Sequence, residues 1–257
     1  MHSLLRQQRI LALLKQHGVV SVVRLARSVH ASEMTVRRDL AELRDRGLVR
    51  RLHGGAVLEI GKAEESPFSN ARQEHVGEKE LIAKEATALI PSGSVVALGA
   101  GTTTWHVARA LAARTDLTFI TNSPNIALEL DRGQSNVILT GGHFRTSADA
   151  LVGPPALWVL ERLQIDILFL GANGVDLKAG YTTPILAEAE TNAALIRKAT
   201  RVVMVVDHSK FGRVTLASFA PIEAAHVLVT DAATSRSLLR QVGRRGVQVV
   251  VSGRKGK

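Results

Sequence analysis

The apolar positions of the first fifty residues fall three and four apart. Leu4, Leu5, Ile10, Leu13 and Leu14 form one such stripe, which predicts a helix over 3–16, stopped by Gly18. Ser21 reads as the N-cap of a second helix, with Val22, Leu25, Ala26 and Val29 on one face. After a break at His30-Ala31, Ser32 reads as the cap of a third, in which Val36, Leu40 and Leu43 keep the core spacing up to Gly47. The period then changes. The stretch "LVRRLHGGAVLEI" (Leu48–Ile60) reads as two short extended runs about Gly54-Gly55, a β-hairpin. Three helices and a hairpin make a winged helix-turn-helix over residues 1–58.

Residues 59–78 are polar, contain Pro67 and hold no sustained period, so they read as a linker. From 79 to 257 helical and extended runs alternate. "KELIAKEATALI" reads as a helix ending before Pro91, and Val95–Leu98 as a strand entering "GAGTTT". Further strands are expected at 117–121, 136–140, 166–174, 201–206, 226–230 and 247–251, with helices between them. These strands are continuous apolar runs, as expected where both faces of a sheet are covered. The expectation is an α/β fold: an N-terminal winged helix-turn-helix followed by an open, mostly parallel sheet.

Composition narrows the function. The chain of 257 residues carries a formal charge of +10. Residues 1–60 hold eleven Lys and Arg against five acids, so under a quarter of the chain carries more than half of the excess. A basic N-terminal unit suggests a polyanion, most simply nucleic acid. No cysteine is present, which excludes disulfides, thiolate zinc sites and cysteine nucleophiles. Neither a signal peptide nor an apolar run of membrane-spanning length is read, so a cytoplasmic protein is expected.

The third helix supplies the first candidate site. With Val36, Leu40 and Leu43 facing the core, Thr35 and Arg38 lie on other sides and Arg37 lies beside the exposed face. An arginine can fork onto guanine O6 and N7 or clamp a phosphate. Ser32 can cap a helix end that favours a phosphate, and Asp39 can hold one arginine by a local ion pair.

The second candidate site lies at the strand ends, where open α/β sheets bind ligands. After the first strand come Gly99, Ala100, Gly101, Thr102, Thr103 and Thr104. After the second come Asn122 and Ser123, and after the third Gly141 and Gly142. Gly171, Asn173 and Gly174 follow the fourth, and Asp207, Ser209 and Lys210 the fifth. Glycine loops, hydroxyls, an amide and one cation fit a small phosphorylated polyol. No P-loop, complete dinucleotide fingerprint or nucleophile elbow is present. The nine histidines show no pair at metal-binding helical spacing, and His106 and His143 read as surface or satisfied residues. No metal and no cofactor is expected. Glu188 and Glu190, two apart on a helix, read as pocket-rim or solvated residues.

The stretch "ASEMTVRRDLAELRDRGLVRRLHGGAV" resembles the DNA-binding signature of the DeoR family of bacterial transcriptional regulators. "GTTT", "TNS", "TGG", "GANGVD", "AGYTT" and "VVDHSKFG" continue the resemblance in family order over nearly the whole chain. The chain departs from it at Gly99 and Ala100, where the family often has an aspartate and a serine, and at Asn192, where it often has a lysine. The resemblance implies a repressor of a carbohydrate-metabolism operon. Its C-terminal domain is expected to be similar to ribose-5-phosphate isomerase and to sense a phosphorylated sugar or polyol. It implies that Ser32, Thr35, Arg37 and Arg38 meet the major groove of operator DNA and that Arg51 and His53 meet its backbone from the wing. It further implies that Thr102, Thr103 and Lys210 hold phosphate, that Asn122, Gly142 and Asn173 line the sugar site, and that the chain works as a dimer or tetramer. Two other readings compete. One is a sugar-phosphate isomerase or deaminase carrying a DNA-binding module, which needs a base among Asp176, Glu188 and Glu190. The other is a nucleoid-type binder without sequence preference.

Overall fold

The computed structural model describes residues 3–17, 20–45, 49–52, 54–58, 68–132 and 135–253. The chain divides into two compact units, 1–65 and 66–257.

In the first unit, α1 (Ser3–His17), α2 (Val22–Ser28) and α3 (Glu33–Asp45) precede a hairpin of β2 (Val49–Leu52) and β3 (Gly55–Leu58). A short β1 (Val20–Ser21) adds to the far side of β3, giving the order β1-β3-β2, all antiparallel. Ile10, Leu14, Val22, Leu25, Ala26, Val29, Val36, Leu40 and Leu43 form the core as the spacing predicts, joined by Val20, Val49 and Ala56 from the strands; Leu5, expected in the stripe, is exposed, and Leu13 is only partly buried. Gly55 permits the sheet to close, since a Cβ there would stand 2.7 Å from Val20 O.

The turn between α2 and α3 is a Schellman motif. His30 takes the left-handed position at φ 51°, Ala31 N–H donates to Ala26 O at 3.0 Å and His30 N–H to Arg27 O at 3.3 Å. The expected ion pair of Asp39 is corrected. Asp39 is buried and accepts Nε and Nη2 of Arg6, from α1, at 2.5 and 3.0 Å. Its place on the core side of α3 turns it away from Arg37 and Arg38 and toward α1.

The second unit begins within the stretch read as a linker. There α4 (Phe68–Ala71) buries Phe68, whose N–H donates to Ser147 O at 2.8 Å, and α5 (Val76–Thr87) starts three residues before the expected boundary. The polar surface of this stretch hid one anchoring aromatic.

The chain then alternates: β4 (Val95–Leu98), α6 (Thr102–Leu111), β5 (Thr118–Thr121), α7 (Pro124–Asp131), β6 (Asn136–Leu139). A hairpin of β7 (His143–Arg145) and β8 (Ala150–Val152) leads to α8 (Pro154–Leu160), β9 (Ile165–Leu170), β10 (Gly174–Asp176) and β11 (Gly180–Thr183). Then come α9 (Leu186–Lys198), β12 (Ala199–Val205), β13 (Ala217–Ala220), β14 (Val227–Thr230), α10 (Arg236–Gly243) and β15 (Gln248–Val251). Seven strands form one parallel sheet in the order β15-β14-β12-β9-β4-β5-β6.

Alternate residues of each central strand go to opposite cores. Val96, Leu98, Ile167, Phe169, Val203 and Val205 pack on one face with Ile82, Val107 and Ile126 of α5, α6 and α7. Ala97, Leu168, Leu170, Val202 and Met204 pack on the other with Leu160, Leu195 and Val242 of α8, α9 and α10. The expected strand 166–174 is two elements. After β9 the chain turns, and β10 joins a small antiparallel sheet, β10-β11-β13, whose Tyr181 and Phe219 belong to the second core. An apolar run with a glycine inside it does not show where one strand ends and another begins. From β4 the chain winds outward to β5 and β6, and from β9 outward to β12, β14 and β15. The boundary between β4 and β9 is therefore the switch point at which such sheets open a crevice. No helix among the described residues is long and apolar enough to cross a membrane.

Candidate functional site

The helix α3 presents its polar side outward. Arg37 and Arg38 are exposed, and Arg38 has no hydrogen-bond or ion-pair partner among the described residues. Arg37 stands 3.6 Å from Glu33 one turn earlier, an exposed pair that water screens. Ser32 caps the helix as expected: Thr35 N–H donates to Ser32 Oγ at 3.2 Å, and the two hydroxyls meet at 2.8 Å. Met34, 73% exposed, shares the face of Arg38 and Ala41, opposite the core stripe. Sequence reasoning passed over Met34, although its offset from the Val36, Leu40 and Leu43 spacing was the available signal. In the wing, Arg51 lies on β2 opposite Ala56; His53 lies outside the described residues.

At the second site, the five loops named from the sequence follow β4, β5, β6, β9 and β12, five consecutive strands of the sheet. Much of their polarity is used within the protein. Gly101 caps α6, accepting Trp105 N–H at 3.0 Å and the Thr104 hydroxyl at 2.8 Å; Thr104 is fully buried. Asn122 is a clamp: its Oδ1 accepts Ala100 N–H at 2.9 Å and its Nδ2 donates to Leu151 O at 3.2 Å. Ser123 caps α7, accepting Ile126 N–H at 3.2 Å and donating to Asp149. A Cβ on Gly142 would stand 2.7 Å from Val152 O, and one on Gly174, within β10, 2.5 Å from Arg213 O. At Gly99 a side chain would have to displace the buried Leu170, whose Cδ1 would lie 2.3 Å from the added Cβ. What stays at least partly open along this edge is Ala100, Gly101, Thr102, Gly141, Gly142, Gly171, Asn173, Ser209 and Lys210. Thr103 is buried on α6.

The structure adds Asp149, Arg145 and Lys79, which the sequence did not single out, and fixes the surroundings of Glu188, Asp207 and His106. Asp149 is buried with a left-handed backbone, φ 54°; burial pushes its carboxyl up, against the hydrogen bonds from Ser123 and Asn125. Arg145 Nε donates to Glu188 Oε1 at 3.2 Å, and the Thr183 hydroxyl donates to Oε2 at 2.8 Å. Glu188 is thus a buried, paired residue rather than a solvated one, while Glu190 is exposed. Lys79 is buried, with Nζ donating to Ala71 O at 2.6 Å and Glu74 O at 2.7 Å; burial lowers its pKa. Asp207 accepts the N–H and hydroxyl of Ser209 on Oδ1, while its buried Oδ2 has no hydrogen-bond partner among the described residues. Burial pushes Asp207 up, but the Ser209 hydroxyl and the charges of Lys210 and Lys79 outweigh it and hold the carboxyl below its ordinary value. His106 is corrected from a surface or satisfied residue to a buried one. Its Nε2 lacks a partner among the described residues, and burial and the charge of Lys79 lower its pKa.

Of the three candidate bases, Glu190 is exposed, and the other two are engaged within the protein. Asp176 Oδ1 accepts Lys178 N–H and Ala179 N–H at 2.8 and 2.9 Å, bonds that hold it below the usual carboxylate range and shape the turn after β10. Glu188 is bound by Arg145. A proton-abstracting group needs a free lone pair at substrate; Glu188 has both oxygens engaged, and Asp176 has Oδ1 fixed in its own turn.

Residues 6–59 match the DeoR-like helix-turn-helix domain, and residues 74–232 match the DeoR C terminal sensor domain. The chain belongs to the DeoR family. It is 38% identical to the HTH-type transcriptional regulator GlpR of Haloferax volcanii, over 95% of this chain and 96% of that one. It is 32% identical to the glycerol-3-phosphate regulon repressor of Escherichia coli, over 95% and 97%. Ribose 5-phosphate isomerase A of Methanocaldococcus jannaschii aligns at 22% identity and a TM-score of 0.40, over 52% of this chain and 53% of that one. With its DeoR-type helix-turn-helix and full-length regulator relatives, this DeoR-family chain is a DNA-binding transcriptional regulator and not an enzyme.

Proposed function

We propose that this regulator represses a carbohydrate-metabolism operon and releases its operator when a phosphorylated sugar or polyol binds at the carboxyl edge of the parallel sheet. The observation that carries the DNA half is the open face of α3, where Arg38 stands exposed beside Met34 on the side opposite the core. An arginine there can read guanine, a methionine can meet a thymine methyl, and Arg37, Ser32 and Thr35 can fix the helix on phosphates. Arg51 and His53 would add backbone contacts from the wing.

For the effector, the support is chemical. Asp207 Oδ2 offers an unused acceptor for a sugar hydroxyl, three residues from the Lys210 ammonium that would hold phosphate. Gly101, Thr102 and Thr103 at the start of α6 would supply further donors, with Gly141, Gly171 and Asn173 as the remaining wall. The relatives' names point the same way, since one is a glycerol-3-phosphate regulon repressor. The two activities are linked only if the ester binds the DNA-free state better than the DNA-bound one. A homo-oligomer, dimer or tetramer, would cover Leu128, Trp158 and Leu186, which are exposed on α7, α8 and α9. Its place of action is expected to be the cytoplasm, where the DNA is.

The test is a fluorescence-polarisation titration on the intergenic DNA beside this protein's own gene, with a random duplex as control and a panel of sugar and polyol phosphates added to the complex. Selective binding released by one ester is the expected result. Lys210→Ala should bind DNA as the parent does and no longer respond to the ester. Equal affinity for both duplexes, with no release by any ester, would sink the proposal and favour the binder without sequence preference.

A further inference from the structure

Three side chains that sequence spacing could not connect meet in the sensor unit. One nitrogen from each of His75 and His208 and one oxygen of Glu78 lie within 4.8 Å of one another. His75 and Glu78 belong to the start of α5, where His75 is the N-cap and Glu78 follows three residues later. His208 comes from the short 3-10 turn 208–210 after β12. The imidazole rings of His75 and His208 are edge to face, 5.0 Å between centres, and His75 Nδ1 is 3.9 Å from Glu78 Oε1.

We infer that His75, Glu78 and His208 bind a divalent ion of the zinc class. Two imidazoles and one carboxylate are a borderline donor set that suits zinc, with water completing the coordination. The surroundings of His208 provide an independent argument. Its Nδ1 lies 3.1 Å from Oδ1 of Asp231, and its backbone N–H donates to Oδ2 at 2.7 Å. Asp231 is buried at the end of β14 and also accepts Ala233 N–H at 2.9 Å. An ionised carboxylate only accepts, so the Asp231 bond places the ring proton on Nδ1 and leaves the Nε2 lone pair free. A carboxylate behind a histidine in this way is the usual support of a metal-ligating imidazole.

His75 supplies a second sign. It holds a left-handed backbone, φ 51°, although it is not glycine, and such outliers concentrate where a side chain must be aimed. The neighbouring cation does not compete for Glu78, because Lys79 Nζ is taken by the carbonyls of Ala71 and Glu74. A bound ion would cross-link the start of α5 to the turn that carries Lys210.

The test uses the full-length chain without an affinity tag, stripped with chelator and titrated with zinc chloride by calorimetry. Cobalt(II) absorption serves as a second probe of nitrogen and oxygen ligation. One ion per chain is expected, with a rise in melting temperature on loading. His75→Ala and Glu78→Gln each remove a ligand from a partly exposed side chain, and their apo melting curves show whether the fold is kept. Both should lose at least tenfold in affinity, and Asp231→Asn should lose about 10–100-fold. A parent chain that takes up no zinc, or folded His75→Ala and Glu78→Gln variants that bind as tightly as the parent, would overturn the assignment.

Discussion

The open face of α3 and the carboxyl edge of the parallel sheet are both candidate sites by residue type, yet they differ in how those residues are used. On α3 the core stripe of Val36, Leu40 and Leu43 takes one side of the helix, and Arg37 and Arg38 on the other side stay exposed. At the sheet edge, the hydroxyls of Thr104 and Ser123 and the amide of Asn122 are consumed by Gly101, Asp149, Ala100 and Leu151. A helix satisfies its own backbone, so its outward side chains are free to act. A loop between strand and helix must satisfy its backbone with the same small polar residues that would suit a ligand. Residue type therefore predicts which side chains stay free better on the helix than on the loops.

The largest expected effect would sharpen this contrast on the DNA side. If Arg38 forks onto a guanine, Arg38→Ala should weaken operator binding by about 1–3 kcal/mol, roughly five- to 150-fold, and relax sequence preference at one position. Arg37→Ala should act differently. If Arg37 meets only phosphate, its loss weakens operator and random duplex alike and lowers the salt slope by about one. Both follow from polarisation titrations at several salt concentrations. If Arg38→Ala binds its operator as the parent does, base reading does not reside in Arg38.

A smaller effect separates used from unused hydroxyls at the sheet edge. Thr104→Val deletes the bond to Gly101 O and should cost about 1 kcal/mol of stability, while release by the effector persists. Thr102→Ala, on a half-buried residue at the first position of α6, should do the reverse: near-parent stability with weakened release. Thermal melts paired with release assays decide it. Loss of release in Thr104→Val, with its fold intact, would return that hydroxyl to the ligand.

What the sequence showed follows the range over which each signal acts. Helix spacing and strand runs are local, and they located the winged helix-turn-helix and the parallel strands, with boundaries a few residues out at α5 and β9. The pairing of Asp39 with Arg6 spans 33 residues, that of Arg145 with Glu188 spans 43, and both depend on which elements become neighbours. The cluster of His75, Glu78 and His208 is of the same kind. A search for histidines at helical spacing misses it, because its second histidine comes from another element. Phe68 was hidden for the opposite reason, as a single apolar residue in a polar stretch.

The smallest effect tests the same contrast within the sheet edge, through two buried aspartates in opposite situations. Asp149 has its carboxyl raised by burial, so it binds a proton more readily folded than unfolded. Its contribution to stability is fully present below the ordinary aspartate value and is lost as pH rises through the folded value. Asp207 is the reverse, because Ser209, Lys210 and Lys79 outweigh burial and lower its carboxyl. Its contribution is present above the ordinary value and is lost as pH falls through the folded one. Both tryptophans, Trp105 and Trp158, lie in the sensor unit, so urea unfolding followed by their emission reports on this unit. Across about pH 3–6, the stability of the parent relative to Asp149→Asn should fall with rising pH, and relative to Asp207→Asn it should increase. Slopes of the same sign would mean that Lys210 and Lys79 do not act on Asp207 as a charge pair. The lone Oδ2 would then be an ordinary buried acceptor, with no anion-binding corner around it.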